Sequence, residues 1–169
     1  ARDTARQFAG KTLGYDETKN LAVMLAKNGQ RREAEESLRN VLVGLSPQQR
    51  SVRDELRFLL GMIGGCESGG VGRNALVQLL ELGGNPLRQR QALELLGEAS
   101  RDGASRDDFG RELDKLISAK PDHPILESLL FYRGQLALSK KEFAAAEADA
   151  LTLVKQFPLS PLRVHAQVL

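Results

Sequence analysis

The sequence predicts an all-α fold built as an array of helix–turn–helix units. Three observations predict it. Pro47, Pro86, Pro121 and Pro158 lie 39, 35 and 37 residues apart. A small residue stands 24 or 25 positions before each of them: Ala22, Gly61, Gly97 and Gly134. Apolar residues recur at intervals of three and four, as in Leu21, Met24 and Leu25, in Leu56, Leu59, Leu60 and Ile63, and in Leu113, Leu116 and Ile117. That spacing gathers them on one helix face, and no stretch alternates apolar and polar long enough to argue for a strand. A fixed period of this length is the signature of a repeat architecture.

Each unit reads in the same order. A first helix carries the small residue, in "NLAVMLA", "LLGMIG", "LLGEAS" and "YRGQLA". A polar or glycine-rich break follows: "KNGQRRE", "GGCESGGVGR", "SRDGASRDD" and "LSKKE". A second apolar-periodic helix then runs to the proline, which cannot continue a helix and holds its predecessor extended. Pro124 and Pro161 each sit three residues after such a stop, where they suit the first turn of the next helix. The pattern predicts helices near 16–28, 31–45, 48–63, 71–83, 88–101, 105–119, 123–139, 142–157 and 161–169, with residues 2–13 as one further candidate. The units run about 15–47, 54–86, 90–121 and 127–158, with a truncated fifth at 161–169, all in a single array. "PLRVHAQVL" breaks off inside an apolar-periodic stretch, so the expectation is a piece of a longer chain.

Composition narrows the function classes. The 169 residues are 41% hydrophobic and 27% charged, with no Trp and 5% aromatic, so the core must be Leu, Ala and Val. A net charge of +2 is too small to argue for nucleic acid or an anionic membrane. Arginines at 31, 32, 50, 53, 57, 88 and 90 interleave with Glu33, Glu35, Glu36, Asp54 and Glu55, which at helical spacing predicts surface pairs. No apolar run reaches the length of a membrane span. The lone Cys66 excludes an internal disulfide and a cysteine-ligated metal cluster. His123 and His165 lack partners at metal-ligand spacing apart from Asp122 beside His123, which suits a helix start, and no G-x-S-x-G string is present. The expectation is no catalytic residue, no metal and no cofactor.

"GMIGGCESGGVGR" at 61–73 is the one stretch that suggests other chemistry. Gly65 and Gly70 have phosphate-loop spacing, but Val71 and Gly72 stand where Lys and Ser or Thr are needed. Gly70, Gly72 and Ala75 fit a dinucleotide fingerprint in form, yet "DELRFLLGMIGG" before them reads as an amphipathic helix rather than a strand. A lipid-modification box at Cys66 would have to end an N-terminal signal. The repeat places this stretch at the turn between two helices, where glycines admit left-handed backbone. A nucleotide-binding enzyme using this loop is therefore the least favoured reading.

The unit resembles the tetratricopeptide repeat family. In residues 127–160, Leu130, Gly134, Phe143, Ala146, Ala150 and Pro158 fall on the family's motif positions, and in the first unit Ala34 and Leu38 do so. The middle units run long, with Arg73 or Phe109 where the family has a small residue. The resemblance implies a right-handed α-solenoid and a non-catalytic scaffold that binds a peptide or partner segment in a concave groove. By register the groove comprises Lys19, Val23, Phe58, Met62, Glu94, Glu98, Phe131, Gln135 and Leu138, with Phe58, Met62, Phe131 and Leu138 as apolar anchors. The clamp for acidic chain ends seen in one subfamily is not implied, because Val23, Gln91 and Leu95 replace its residues. "FPLSP" leading into "LRVHA" is similar to bacterial cell-envelope members, which implies the periplasm. Homo-oligomerisation, or service as a spacer in a larger envelope protein, is the alternative.

Overall fold

The computed structural model describes residues 14–101 and 103–166. The candidate helix at 2–13 and the last turn of the predicted helix at 161–169 lie outside them. Nine helices follow one another among the described residues, with no strand. They are α1 (Tyr15–Lys27), α2 (Arg31–Gly44), α3 (Arg50–Gly64), α4 (Val71–Leu82), α5 (Pro86–Ala99), α6 (Gly103–Ala119), α7 (Leu126–Ser139), α8 (Phe143–Gln156) and α9 (Leu162–Ala166). None is long and apolar enough to cross a membrane. The chain divides into two compact units, Ala1–Arg88 and Gln89–Leu169.

In the first unit consecutive helices pack against each other from α1 to α4, and α1 also touches α3. The core is what the small and apolar stripe demands: Ala22 and Leu25 of α1, Ala34 and Leu38 of α2, Leu56, Leu60 and Ile63 of α3, and Ala75 of α4. Burying such side chains contributes about 25 cal/mol for each Å² of apolar surface removed from water. In the second unit α6 packs on α7, α7 on α8, and α9 on both α7 and α8. Leu126, Leu130, Leu153 and Ala166 form a core cluster there.

Two of the predicted small positions, Gly61 and Gly97, are points of close helix approach. A Cβ at Gly61 would overlap the side chain of Leu76, and one at Gly97 would overlap the ring of Tyr132. Three of the four spaced prolines end a unit: Pro47, Pro121 and Pro158 lie in turns. Pro86 does the opposite and opens α5. The reason is local. Proline is well suited to the first helical position, and the Asn85 carboxamide accepts from the N–H groups of Leu87 (3.0 Å) and Arg88 (3.3 Å), as a helix cap does. Pro124 and Pro161 stand just before α7 and α9, outside their first turns.

Candidate functional site

The nine groove residues sit on the odd-numbered helices α1, α3, α5 and α7. None is fully buried: Lys19, Val23, Phe58, Phe131 and Leu138 are half-buried, and Met62, Glu94, Glu98 and Gln135 are exposed. Each unit is taken by itself.

In the first unit, Lys19 and Val23 lie on α1 and Phe58 and Met62 on α3, and the two helices touch. Phe58 is already covered there. The Arg88 guanidinium lies 4.8 Å from its ring centroid, a cation–π contact. Arg88 is held in place by Glu55, Nε to Oε1 at 2.6 Å and Nη2 to Oε2 at 2.7 Å. This two-point bond raises the pKa of Arg88 above the ordinary arginine value. Lys19 stands over the Tyr15 ring at 5.3 Å. Burial raises the Tyr15 phenol pKa, and the Lys19 charge works against that shift. The face is aromatic and charged rather than apolar, and Met62 is its open hydrophobe at 60% exposure.

In the second unit, α5, α6 and α7 enclose a recess of about 380 Å³. Three of the groove residues line it: Glu94, Glu98 and Gln135. Gly97 makes the recess possible, because its missing side chain lets Tyr132 lie against α5. Tyr132 meets Phe109 edge-on at 6.1 Å and Phe131 edge-on at 6.1 Å, a favoured aromatic geometry. Burial raises the Tyr132 pKa, and Glu94 and Glu98 raise it further. The phenol therefore stays protonated as a donor across the whole working range. Arg101 and Arg106 complete the wall. Phe131 packs its ring on the core cluster and edge-on to His165 at 6.3 Å.

Sequence reading missed Tyr132, Arg101 and Arg106 in this recess. Gly97 was the available signal, since a glycine at a helix crossing invites a large ring from the partner helix. Asp54 and Arg57, read as surface ions, are buried. The Asp54 Oδ2 accepts from Gly84 N–H (2.8 Å) and Asn85 N–H (3.0 Å) and fastens the turn before α5. His123 is also buried, and its Nδ1 accepts from the Ile125 N–H at 3.3 Å. No group of three metal-ligating side chains occurs among the described residues.

The glycine-rich stretch closes the α3–α4 hairpin. Gly65 and Gly69 adopt φ of 76° and 72°. A Cβ at Gly72 would strike the Gly65 carbonyl, so the end of α3 and the start of α4 meet backbone to backbone. The element before it is helix α3, which does not supply the strand a dinucleotide fingerprint needs. Burial pushes the Cys66 thiol pKa up, with Arg73 pulling the other way. Comparison with protein-family models, with curated proteins and with solved structures gives no match.

Proposed function

We propose that this chain is a non-catalytic protein-interaction scaffold of tetratricopeptide type. A segment of a partner protein binds in the α5–α6–α7 recess of the second unit. The observation that carries the reading is the recess itself. Two carboxylates one helical turn apart, two arginines, an edge-packed tyrosine and a glutamine amide line a recess of about 380 Å³. Such a setting takes an amide or basic side chain against Glu94 and Glu98, with Arg101 and Arg106 as donors to an acceptor of the same segment and the Tyr132 ring as platform. The Arg88–Phe58 contact in the first unit makes that face a weaker anchor. Resemblance to cell-envelope repeats favours a bacterial periplasmic setting for the partner.

Selection of a random peptide library on the intact chain tests this. Enriched peptides should carry an amide or basic residue and should lose binding to a Glu94→Lys, Glu98→Lys double variant. Both sites are exposed, so the variant keeps its fold. Peptides that bind both proteins equally, or no enrichment, would overturn the reading.

One observation favours homo-oligomerisation as a second reading. Phe143 and Leu151 on α8 are 64% and 63% exposed, and Leu159 and Val164 beyond it are 97% and 69% exposed. Exposed apolar side chains of this kind suit burial against a second copy. Self-association should then appear as a mass that rises with concentration in analytical ultracentrifugation and falls back in a Phe143→Glu variant. A constant monomer mass would remove this reading.

A further inference from the structure

A separate cavity in the first unit has a different chemistry. It measures about 210 Å³ and is lined by Pro47, Arg50, Arg53, Asp54, Arg57 and Leu82. Three arginines face a single aspartate there. Arg57 is only 4% exposed. Its Nε has no hydrogen-bond partner, and its nearest carboxylate, Asp54 Oδ1, is 3.9 Å away. That separation is too long for a hydrogen bond. Asp54 is half engaged: its Oδ2 holds the N–H groups of Gly84 and Asn85, while its Oδ1, the oxygen on the Arg57 side, is buried without a hydrogen bond. Arg53 is aimed by a 2.8 Å bond to the Leu45 carbonyl. Arg50 makes no ion pair or hydrogen bond among the described residues.

A buried guanidinium with one distant counter-charge is costly unless something else completes its shell. The charge of Arg53 adds to the strain. Burial and Arg53 both pull the Arg57 pKa below the usual arginine value, while Asp54 pulls it back. Guanidinium donors fit the paired oxygens of phosphate and carboxylate groups. The cavity falls below the roughly 300 Å³ at which pockets begin to take whole small molecules. It suits one anionic group, with Pro47 and Leu82 as an apolar rim.

We propose that Arg50, Arg53 and Arg57 form an oxyanion site that binds a phosphate group. This site is independent of the α5–α6–α7 recess, and either can fail without the other. The group can come from a free phosphate or from a phosphorylated side chain of a bound protein. Both present the same dianionic oxygens.

Calorimetric titration of the intact chain with inorganic phosphate, at constant ionic strength set by chloride, is the test. Saturable binding is expected. Arg50→Gln should weaken it about tenfold, the loss of one charge-assisted contact. Arg50 is exposed and unbonded, so this variant folds as the parent does. Arg57→Gln should weaken binding at least as much. No saturable binding, or unchanged binding in Arg50→Gln, would overturn the proposal. A second arm uses a short phosphoserine peptide with a leucine beside the phosphate. Tighter binding than inorganic phosphate assigns the site to a phosphorylated side chain, with Leu82 in contact. Equal affinity assigns it to the free anion.

Discussion

The α7–α8 hairpin and the α3–α4 hairpin reach the same shape by different means. α7–α8 turns in three residues and is tied by charge. Arg133 donates to both Asp149 oxygens, at 2.8 and 2.6 Å, and to Asp114 at 3.2 Å. Asp149 is nearly buried, so the pair works at short range with little water between. α3–α4 turns in six residues and is tied by contact. Its helices touch through glycine, and Arg73, 1% exposed, fills the turn and donates to the Cys66 carbonyl at 3.3 Å. A repeat array constrains where helices meet and leaves open what joins them. Ion pairs and bare backbone serve equally, provided the small position is kept.

This contrast can be broken at its tightest point first. Gly72→Val should cost about 3 kcal/mol or more, because the clash is with backbone that cannot swing away. Urea unfolding measures it, and a loss below about 1 kcal/mol would mean the hairpin is looser than described. Asp149→Ala removes the charge tie of the other hairpin. It should cost about 2 kcal/mol in the same assay, with Asp114 left as the carboxylate partner of Arg133 among the described residues. If Asp149→Ala and a surface control melt together, the ion pair does not hold α7 to α8.

A smaller effect sharpens the comparison with the first hairpin. The α1–α2 and α7–α8 turns superpose in pattern. Gly29 and Lys141 occupy the middle position with φ of 79° and 63°. In both, the next residue's N–H reaches back five positions, Gln30 to Leu25 and Glu142 to Ala137. Lysine is strained in that conformation and glycine is not. Lys141→Gly should raise stability by about 1 kcal/mol, and Gly29→Lys should lower it by about the same amount. Thermal melts of the two variants should move in opposite directions. The mildest effect is chemical. Cys66 should react with iodoacetamide at pH 8 several-fold more slowly than an exposed cysteine, because burial disfavours its thiolate. Equal rates would show the α3–α4 turn to be open.

The helices were legible because their signals are local. Three-and-four periodicity, a glycine break and a proline lie within a dozen residues of each other. All nine predicted helices in the described span are found, with starts displaced by three residues or fewer. The start at Pro86 has a local cause, the Asn85 cap. Register within the middle units was harder. Arg73 and Phe109 occupy positions where a small residue was expected, and both are buried. Their neighbours Gly72 and Gly110 make the close approach instead, Gly110 leaving a Leu136 methyl 3.1 Å from where a Cβ would stand. A slip of one residue on a helix looks minor in sequence and turns the side chain by about 100° in space. Asp54 and Arg57 could not be read at all. Their burial depends on a turn thirty residues downstream, and no local pattern announces it. The recess around Tyr132 was half visible, through Glu94, Glu98 and Gln135, since helical register is local while the ring that fills the crossing is not.

The Asp54 tether has an evolutionary consequence. It reaches from α3 past the end of its own hairpin to Gly84 and Asn85, and the Glu55–Arg88 fork follows it one turn further. The first compact unit accordingly extends to Arg88 rather than stopping at the end of α4. A duplication or deletion cut cleanly at Leu82 would strand a buried carboxylate without its donors. The inheritable module is the hairpin plus the opening turn of its successor, so exchanges among such repeats should succeed with breakpoints inside a helix and fail at the loops that look like natural seams.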